Sequence, residues 1–164
     1  MSKTFFIADT HFGSKAILGY ENRPFDSVEQ MDKAIVENWN KVVSPQDTVW
    51  HLGDVGDDTI IGRLNGIKYL VKGNHDTGSN QYYRDIGFSE VYDLPVLFEN
   101  FWLLSHEPLY INTNMPYANL FGHVHANPII KDLSSQHFCV CVERIDYTPV
   151  EFDFIKKAIA DAAK

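Results

Sequence analysis

Leu70-Val71-Lys72-Gly73-Asn74-His75-Asp76 is the stretch on which the reading of this 164-residue chain turns. A short apolar run with the length of a buried strand stops at a glycine. The chain then delivers an amide, an imidazole and a carboxylate in three consecutive positions. Asn74 offers a carbonyl oxygen to a metal, His75 can carry a proton near neutral pH, and Asp76 can orient that imidazole. A single such motif decides little. Its weight comes from four other strand ends that finish with similar chemistry.

Upstream, the apolar run Lys3 to Ala8 ends at Asp9-Thr10-His11. Residues two apart on an extended segment share a face, so Asp9 and His11 can both reach one ion. The competing reading of this pair alone is a capping Asp beside a surface His. Thr48 to Leu52 closes on Gly53-Asp54, where the glycine lets the backbone approach a ligand and the two carboxylate oxygens can bridge two ions. His51, three residues before Asp54, reads instead as a hydrogen-bonded histidine near the core. Downstream, Phe101 to Leu104 leads to Ser105-His106-Glu107-Pro108, and Pro108 keeps His106 at a strand end by preventing a helix. Ala118 to Phe121 closes on Gly122-His123-Val124-His125, which sets His123 and His125 on one face. Five of the seven histidines belong to this set.

Between these strand ends the pattern changes period. Ser27 to Val43 is predicted to be a helix, capped by Asp26 or Ser27 with Gln30 at capping-box spacing. Its apolar stripe is Val28, Met31, Ile35, Trp39 and Val42. Asp57 to Asn65 and Gln81 to Ile86 read as shorter helices. The alternation of strand and helix as far as Phe88 predicts a layered α/β domain. Beyond it come short strands at Glu90 to Tyr92, Val96 to Phe98 and Phe101 to Leu104. Phe138 to Ile145 alternates like a strand, and Glu151 to Ala163 like an amphipathic helix. Phe12 to Asp26 and Leu109 to Tyr117 read as loops. Arg23, in the first, either contacts a substrate phosphate or pairs with a carboxylate. With no internal repeat or linker, residues 1 to 164 are expected to form one domain, long enough to bury a core without disulfides.

A formal charge of −8 argues against broad binding to nucleic acid or to an anionic membrane. It still admits one small phosphorylated substrate where bound metals invert the local field, with nucleic acid entering only as substrate. No run is long and apolar enough to span a membrane, and no signal peptide is expected. Cys139 and Cys141 share a strand face, and a reducing, cytoplasmic setting without a disulfide is expected.

Taken together, Asp9, His11, Asp54, Asn74, His75, His106, His123 and His125 all follow short apolar runs and can converge outside the carboxyl ends of the strands. Imidazole and carboxylate donors without thiolate suit manganese, iron, zinc or nickel. Their number exceeds what one tetrahedral ion requires and suits two ions sharing a carboxylate.

The five blocks Asp9-x-His11, Gly53-Asp54, Gly73-Asn74-His75-Asp76, His106 and Gly122-His123-x-His125, in this order, resemble the calcineurin-like metallophosphoesterases. Asn22-Arg23-Pro24-Phe25 further resembles a small bacterial and phage branch. The resemblance implies a four-layer α/β/β/α sandwich with two mixed β-sheets. It places Asp9, His11 and His125 on a first divalent metal and Asn74, His106 and His123 on a second, with Asp54 bridging. Manganese is expected first, with iron, zinc or nickel as alternatives. His75 matches the proton donor, with Asp76 as its orienting partner. The implied reaction is hydrolysis of phosphodiesters or small phosphomonoesters by in-line attack of a metal-bridging hydroxide. An exonuclease acting on nucleic-acid ends and a non-catalytic metal-binding scaffold are the alternatives. Tyr82, Tyr83 and the tyrosines of residues 110 to 117 are expected to wall the site or to form a homo-oligomer contact.

Overall fold

The first half of the chain forms a parallel sheet because each apolar strand is followed by a segment that returns the chain over one face. The elements are β1 (Thr4–Ile7), α1 (Lys15–Tyr20), α2 (Val28–Val42), β2 (Thr48–His51), a 3₁₀ turn at Asp58–Arg63, β3 (Ile67–Val71), α3 (Asn80–Asp85) and β4 (Phe88–Tyr92). The computed structural model describes residues 1–127 and 133–164. Ile7 pairs with His51 and His51 with Leu70, so β1, β2 and β3 end level and present residues 9, 54 and 74 at one edge. A short strand β9 (Val150–Glu151) runs antiparallel to β1 and completes the order β4-β3-β2-β1-β9.

The second sheet has the order β5-β6-β7-β8, from β5 (Val96–Phe98), β6 (Trp102–Ser105), β7 (Ala118–Phe121) and β8 (His137–Cys139). β6, β7 and β8 are parallel and β5 is antiparallel to β6. The two sheets are stitched at their carboxyl edge. Ala8 donates its N–H to Val140 O at 2.8 Å and accepts that of Val142 at 3.1 Å, forming a bridge between Ala8 and Cys141. The motifs of both sheets therefore meet at one rim.

Among the described residues, two apolar cores hold this arrangement. Phe6, Trp50 and Val71 face Trp102, Leu104 and Leu120 between the sheets, and Phe152 and Ile155 of α4 (Phe152–Ala162) join that core. On the other face of the first sheet, Phe5, Ile7, Val49 and Leu70 pack against Met31, Ile35 and Trp39 of α2. The outer face of the second sheet is covered by the segment after β6, where Ile111 is buried and Asn119 Oδ1 accepts the Leu109 N–H at 2.8 Å. The fold is the expected α/β arrangement of two mixed sheets. No helix among the described residues is long and apolar enough to cross a membrane.

Local differences have physical causes. The expected loop after β1 contains α1. Ser27 caps α2 through Gln30 N at 3.1 Å, but Gln30 Oε1 reaches back to Asp26 N, one residue beyond the usual capping-box donor. The strand expected to run to Ile145 ends at Cys139, because the chain crosses there from the second sheet to Ala8 of the first. It then tightens into a 3₁₀ turn at Val142–Arg144.

Candidate metal centre

The strand ends after β1, β2 and β7 break their extended runs on left-handed residues. Asp9, His11, Asp54, His123 and His125 have φ of 60°, 46°, 59°, 70° and 51°. Such conformations cost on the order of 1 kcal/mol or more each in non-glycine residues, Asp and His tolerating them better than most, and they gather at functional sites. Gly53, at φ 98°, permits a close approach between the sheets. A Cβ there would lie 2.5 Å from His106 Nδ1 and 2.6 Å from Gly73 N.

The side chains fall into two groups joined by one carboxylate. In the first, Asp9 Oδ1 lies 3.8 Å from His11 Nε2 and 3.7 Å from His125 Nε2. In the second, His106 Nε2 is 3.0 Å from Asn74 Oδ1 and 3.2 Å from His123 Nδ1, and those two atoms are 3.2 Å apart. Asp54 Oδ2 stands between the groups, 3.5 Å from His11 Nε2 and 3.4 Å from His106 Nε2. His75 is exposed, with its ring centroid 5.6 Å from that of His11 and its backbone N–H on Asp54 Oδ1 at 2.9 Å.

These groups bear on a bound cation. Asp9 Oδ1 and His11 Nε2 are buried without a hydrogen-bond partner. A buried carboxylate oxygen and a buried ring nitrogen that face each other at 3.8 Å without hydrogen-bond partners are suited to donate to one cation. Donors on a sphere of about 2.1 Å radius stand about 3.0–3.5 Å apart, which the spacings above approach. The donor set fits a divalent-cation centre with two halves. Although burial opposes its charge, the Asp54 carboxyl is lowered to about 2 by His106, the His75 amide and His11. Burial likewise opposes a charge on His106, but Asp54 and Asp9 raise it to about 9. Asp9 is also lowered against its burial, by His11, His106 and His125. The surrounding contacts aim the donors: His106 Nδ1 donates to Leu52 O at 2.7 Å, leaving Nε2 to the centre.

Asp76 serves the backbone instead of the His75 ring. Its Oδ2 accepts the N–H groups of Gly73 and Asp54, both at 2.7 Å, and its Oδ1 that of Val55 at 3.0 Å. The tight turn that bonds Asp76 N to Gly73 O at 3.1 Å folds the side chain beneath the loop, away from an imidazole on the exposed side.

Arg23 takes the second of its two readings and pairs with a carboxylate. Its side chain is fully enclosed, donating to Asp9 O at 2.6 Å, Thr10 O at 2.9 Å and Glu143 Oε1 at 3.2 Å. The irregular backbone at residues 9 and 10 leaves carbonyls for which the sheet has no donor, and the guanidinium fills that need. Tyr83 is buried in the helix-side core, whereas Tyr82 and Tyr110 are exposed.

Three supporting residues carry no signal of a site role in the sequence. Glu143 Oε2 lies 2.8 Å from His125 Nδ1. Cys141 Sγ donates to Asp9 Oδ2 at 3.3 Å, beside the His123 N–H at 2.7 Å, which leaves Asp9 Oδ1 free for the centre. Thr10 forms part of a chain in which Gly53 N–H donates to His51 Nδ1 at 3.1 Å, His51 Nε2 donates to Thr10 Oγ1 at 2.9 Å, and Thr10 Oγ1 donates to Val55 O at 2.7 Å. His51 is thus the buried, hydrogen-bonded histidine that its position within a strand suggests.

A family model for calcineurin-like phosphoesterases matches residues 2–147. The uncharacterized protein MJ1445 of Methanocaldococcus jannaschii is 33% identical over 172 aligned residues, covering 97% of this chain and 92% of its own length. The gene 66 protein of Mycobacterium phage L5 is 36% identical over 85 residues, covering 46% of this chain and 41% of its own. Among solved structures, a protein of unknown function from Aquifex aeolicus, AQ665, superposes with a TM-score of 0.73 at 26% identity, over 96% of this chain and 99% of its own.

Proposed function

The chain belongs to the calcineurin-like phosphoesterase family, and from that premise we propose that it hydrolyses phosphodiesters or small phosphomonoesters at a two-cation centre. The observation that carries this reading is the position of Asp54 Oδ2, 3.5 Å from His11 Nε2 and 3.4 Å from His106 Nε2. One atom serves both halves.

In this reading Asp9, His11 and His125 hold one cation, Asn74, His106 and His123 hold the other, and Asp54 serves both. When bound, two divalent cations supply Lewis-acid stabilisation for charge on the phosphoryl oxygens and lower the pKa of a water nucleophile. Manganese is the first choice, with iron, zinc and nickel compatible with the same donors. His75 holds the proton given to the departing ester oxygen. Its exposure beside His11 supports that role, and its N–H on Asp54 Oδ1 fixes the backbone from which the imidazole projects. Asp76 keeps the Gly53-Asp54-Val55 and Gly73-Asn74 segments in register, so that Asp54 and Asn74 meet the histidines. The free thiols of Cys139 and Cys141 support a reducing cytoplasm as the setting.

The test is hydrolysis of bis-p-nitrophenyl phosphate by chelator-stripped protein before and after addition of Mn²⁺. Activity that appears only with the metal supports the proposal. No hydrolysis of this diester or of p-nitrophenyl phosphate after reloading with Mn²⁺, Fe²⁺, Zn²⁺ or Ni²⁺ overturns it.

A further inference from the structure

Glu143 and Arg23 lie outside the donor set, yet both touch it. Glu143 stands on the 3₁₀ turn that follows the Ala8–Cys141 bridge, with only 4% of its side chain exposed. Its Oε2 and Oε1 lie 2.8 and 3.1 Å from His125 Nδ1. On the other side of the same ring, His125 Nε2 is 3.7 Å from Asp9 Oδ1. The Arg23 Nη2 that donates to Glu143 Oε1 at 3.2 Å also donates to the Asp9 carbonyl at 2.6 Å. One guanidinium therefore ties the main chain of one ligand to the carboxylate that grips another.

We infer that Arg23 and Glu143 form a positioning relay for the first half of the centre. The inference rests on reading Asp9, His11 and His125 as cation ligands. An imidazole has two neutral tautomers, and only the one protonated at Nδ1 presents an Nε2 lone pair toward Asp9. A carboxylate accepting the Nδ1–H selects that tautomer, fixes the ring plane and makes Nε2 a better donor. An enclosed carboxylate needs a counter-charge, and the Arg23 fork supplies one while holding the carbonyls of Asp9 and Thr10.

The second half is built differently. There the ring of His106 is held by the neutral Leu52 carbonyl. The two halves should accordingly respond differently to loss of Glu143. A purely structural ion pair between the loop after α1 and the 3₁₀ turn would weaken the whole protein and both halves together.

The experiment is a Mn²⁺ titration of the chelator-stripped full chain by competition with a fluorescent chelator, on wild type, Glu143→Ala and Glu143→Gln. Melting temperatures of the chelated proteins are taken alongside. Wild type is expected to bind two ions. Glu143→Ala is expected to weaken one step by roughly 10- to 100-fold and leave the other in place. Glu143→Gln, whose amide oxygen still accepts the Nδ1–H, falls between them. An alanine variant that titrates like wild type overturns the relay, as does parallel weakening of both steps in either variant with a fall in melting temperature. A wild type that takes up no Mn²⁺ overturns the reading of the centre itself, and the relay with it.

Discussion

Asp76 Oδ2 accepts the backbone N–H of Asp54 at 2.7 Å, and through this bond a residue from one strand end sets the conformation of another. With Gly73 and Val55 also donating to it, a single buried carboxylate satisfies three amides that no strand pairs. Asp76→Ala is expected to lower the unfolding free energy by roughly 2–4 kcal/mol, the cost of leaving several buried donors unmade. Urea denaturation of the chelated protein measures this. Unchanged stability combined with a shifted pH profile for the His75 step would return Asp76 to an imidazole-orienting role.

Asp54→Ala removes the one oxygen shared by the two halves. On the proposed function, the purified variant should lack one or both cations and lose activity by at least 10³-fold, an order of magnitude set by the loss of metal-assisted catalysis. Elemental analysis decides the point. Two equivalents of metal retained in the variant would remove Asp54 from the bridging position.

His75→Ala separates proton donation from cation binding. A departing alkoxide needs a proton in the transition state, whereas p-nitrophenolate hardly does. The variant should lose on the order of 10²–10⁴ in kcat on alkyl esters and much less on activated aryl esters. Equal losses on both classes would eliminate His75 as the proton donor.

The donor residues were legible in the sequence because each follows a short apolar run, and level strand ends in a parallel sheet bring such positions together. What supports them was harder to read, for specific reasons. Glu143 falls where the alternation from Phe138 suggests a continuing strand. Only the crossing to Ala8, a contact between residues distant in sequence, turns that segment into a 3₁₀ turn. Arg23 looks like a phosphate contact because it lies in the loop beside the site. Its burial follows from the bare carbonyls of Asp9 and Thr10, and a left-handed backbone at a strand end cannot be read from composition. Asp76 sits next to His75 in the chain, which suggested partnership, but the Gly73–Asp76 turn sends the two side chains apart.

His51 gives the fold a pH dependence of definite sign. Its Nδ1 accepts the Gly53 N–H and its Nε2 donates to Thr10, so both ring positions are committed to the neutral form. A proton at Nδ1 would set two donors against each other. Burial, only partly offset by the Asp9 and Asp54 carboxylates, lowers the imidazole to about 3. In the unfolded chain it titrates near 6.5. Between those values the unfolded state binds a proton that the native state refuses, so the stability contributed by His51 is present above about pH 6.5 and lost as pH falls toward 3. His51→Gln keeps a donor and an acceptor but does not titrate. In chelator, wild type should therefore lose about 2 kcal/mol more than the variant between pH 7 and pH 5, at roughly 1.4 kcal/mol per unit below the unfolded value. Taking the difference cancels the opposing contribution of His106, which is raised in the folded protein. Equal losses in the two proteins would mean that His51 takes up its proton in the native state, and that the Gly53–His51–Thr10 chain opens to admit it.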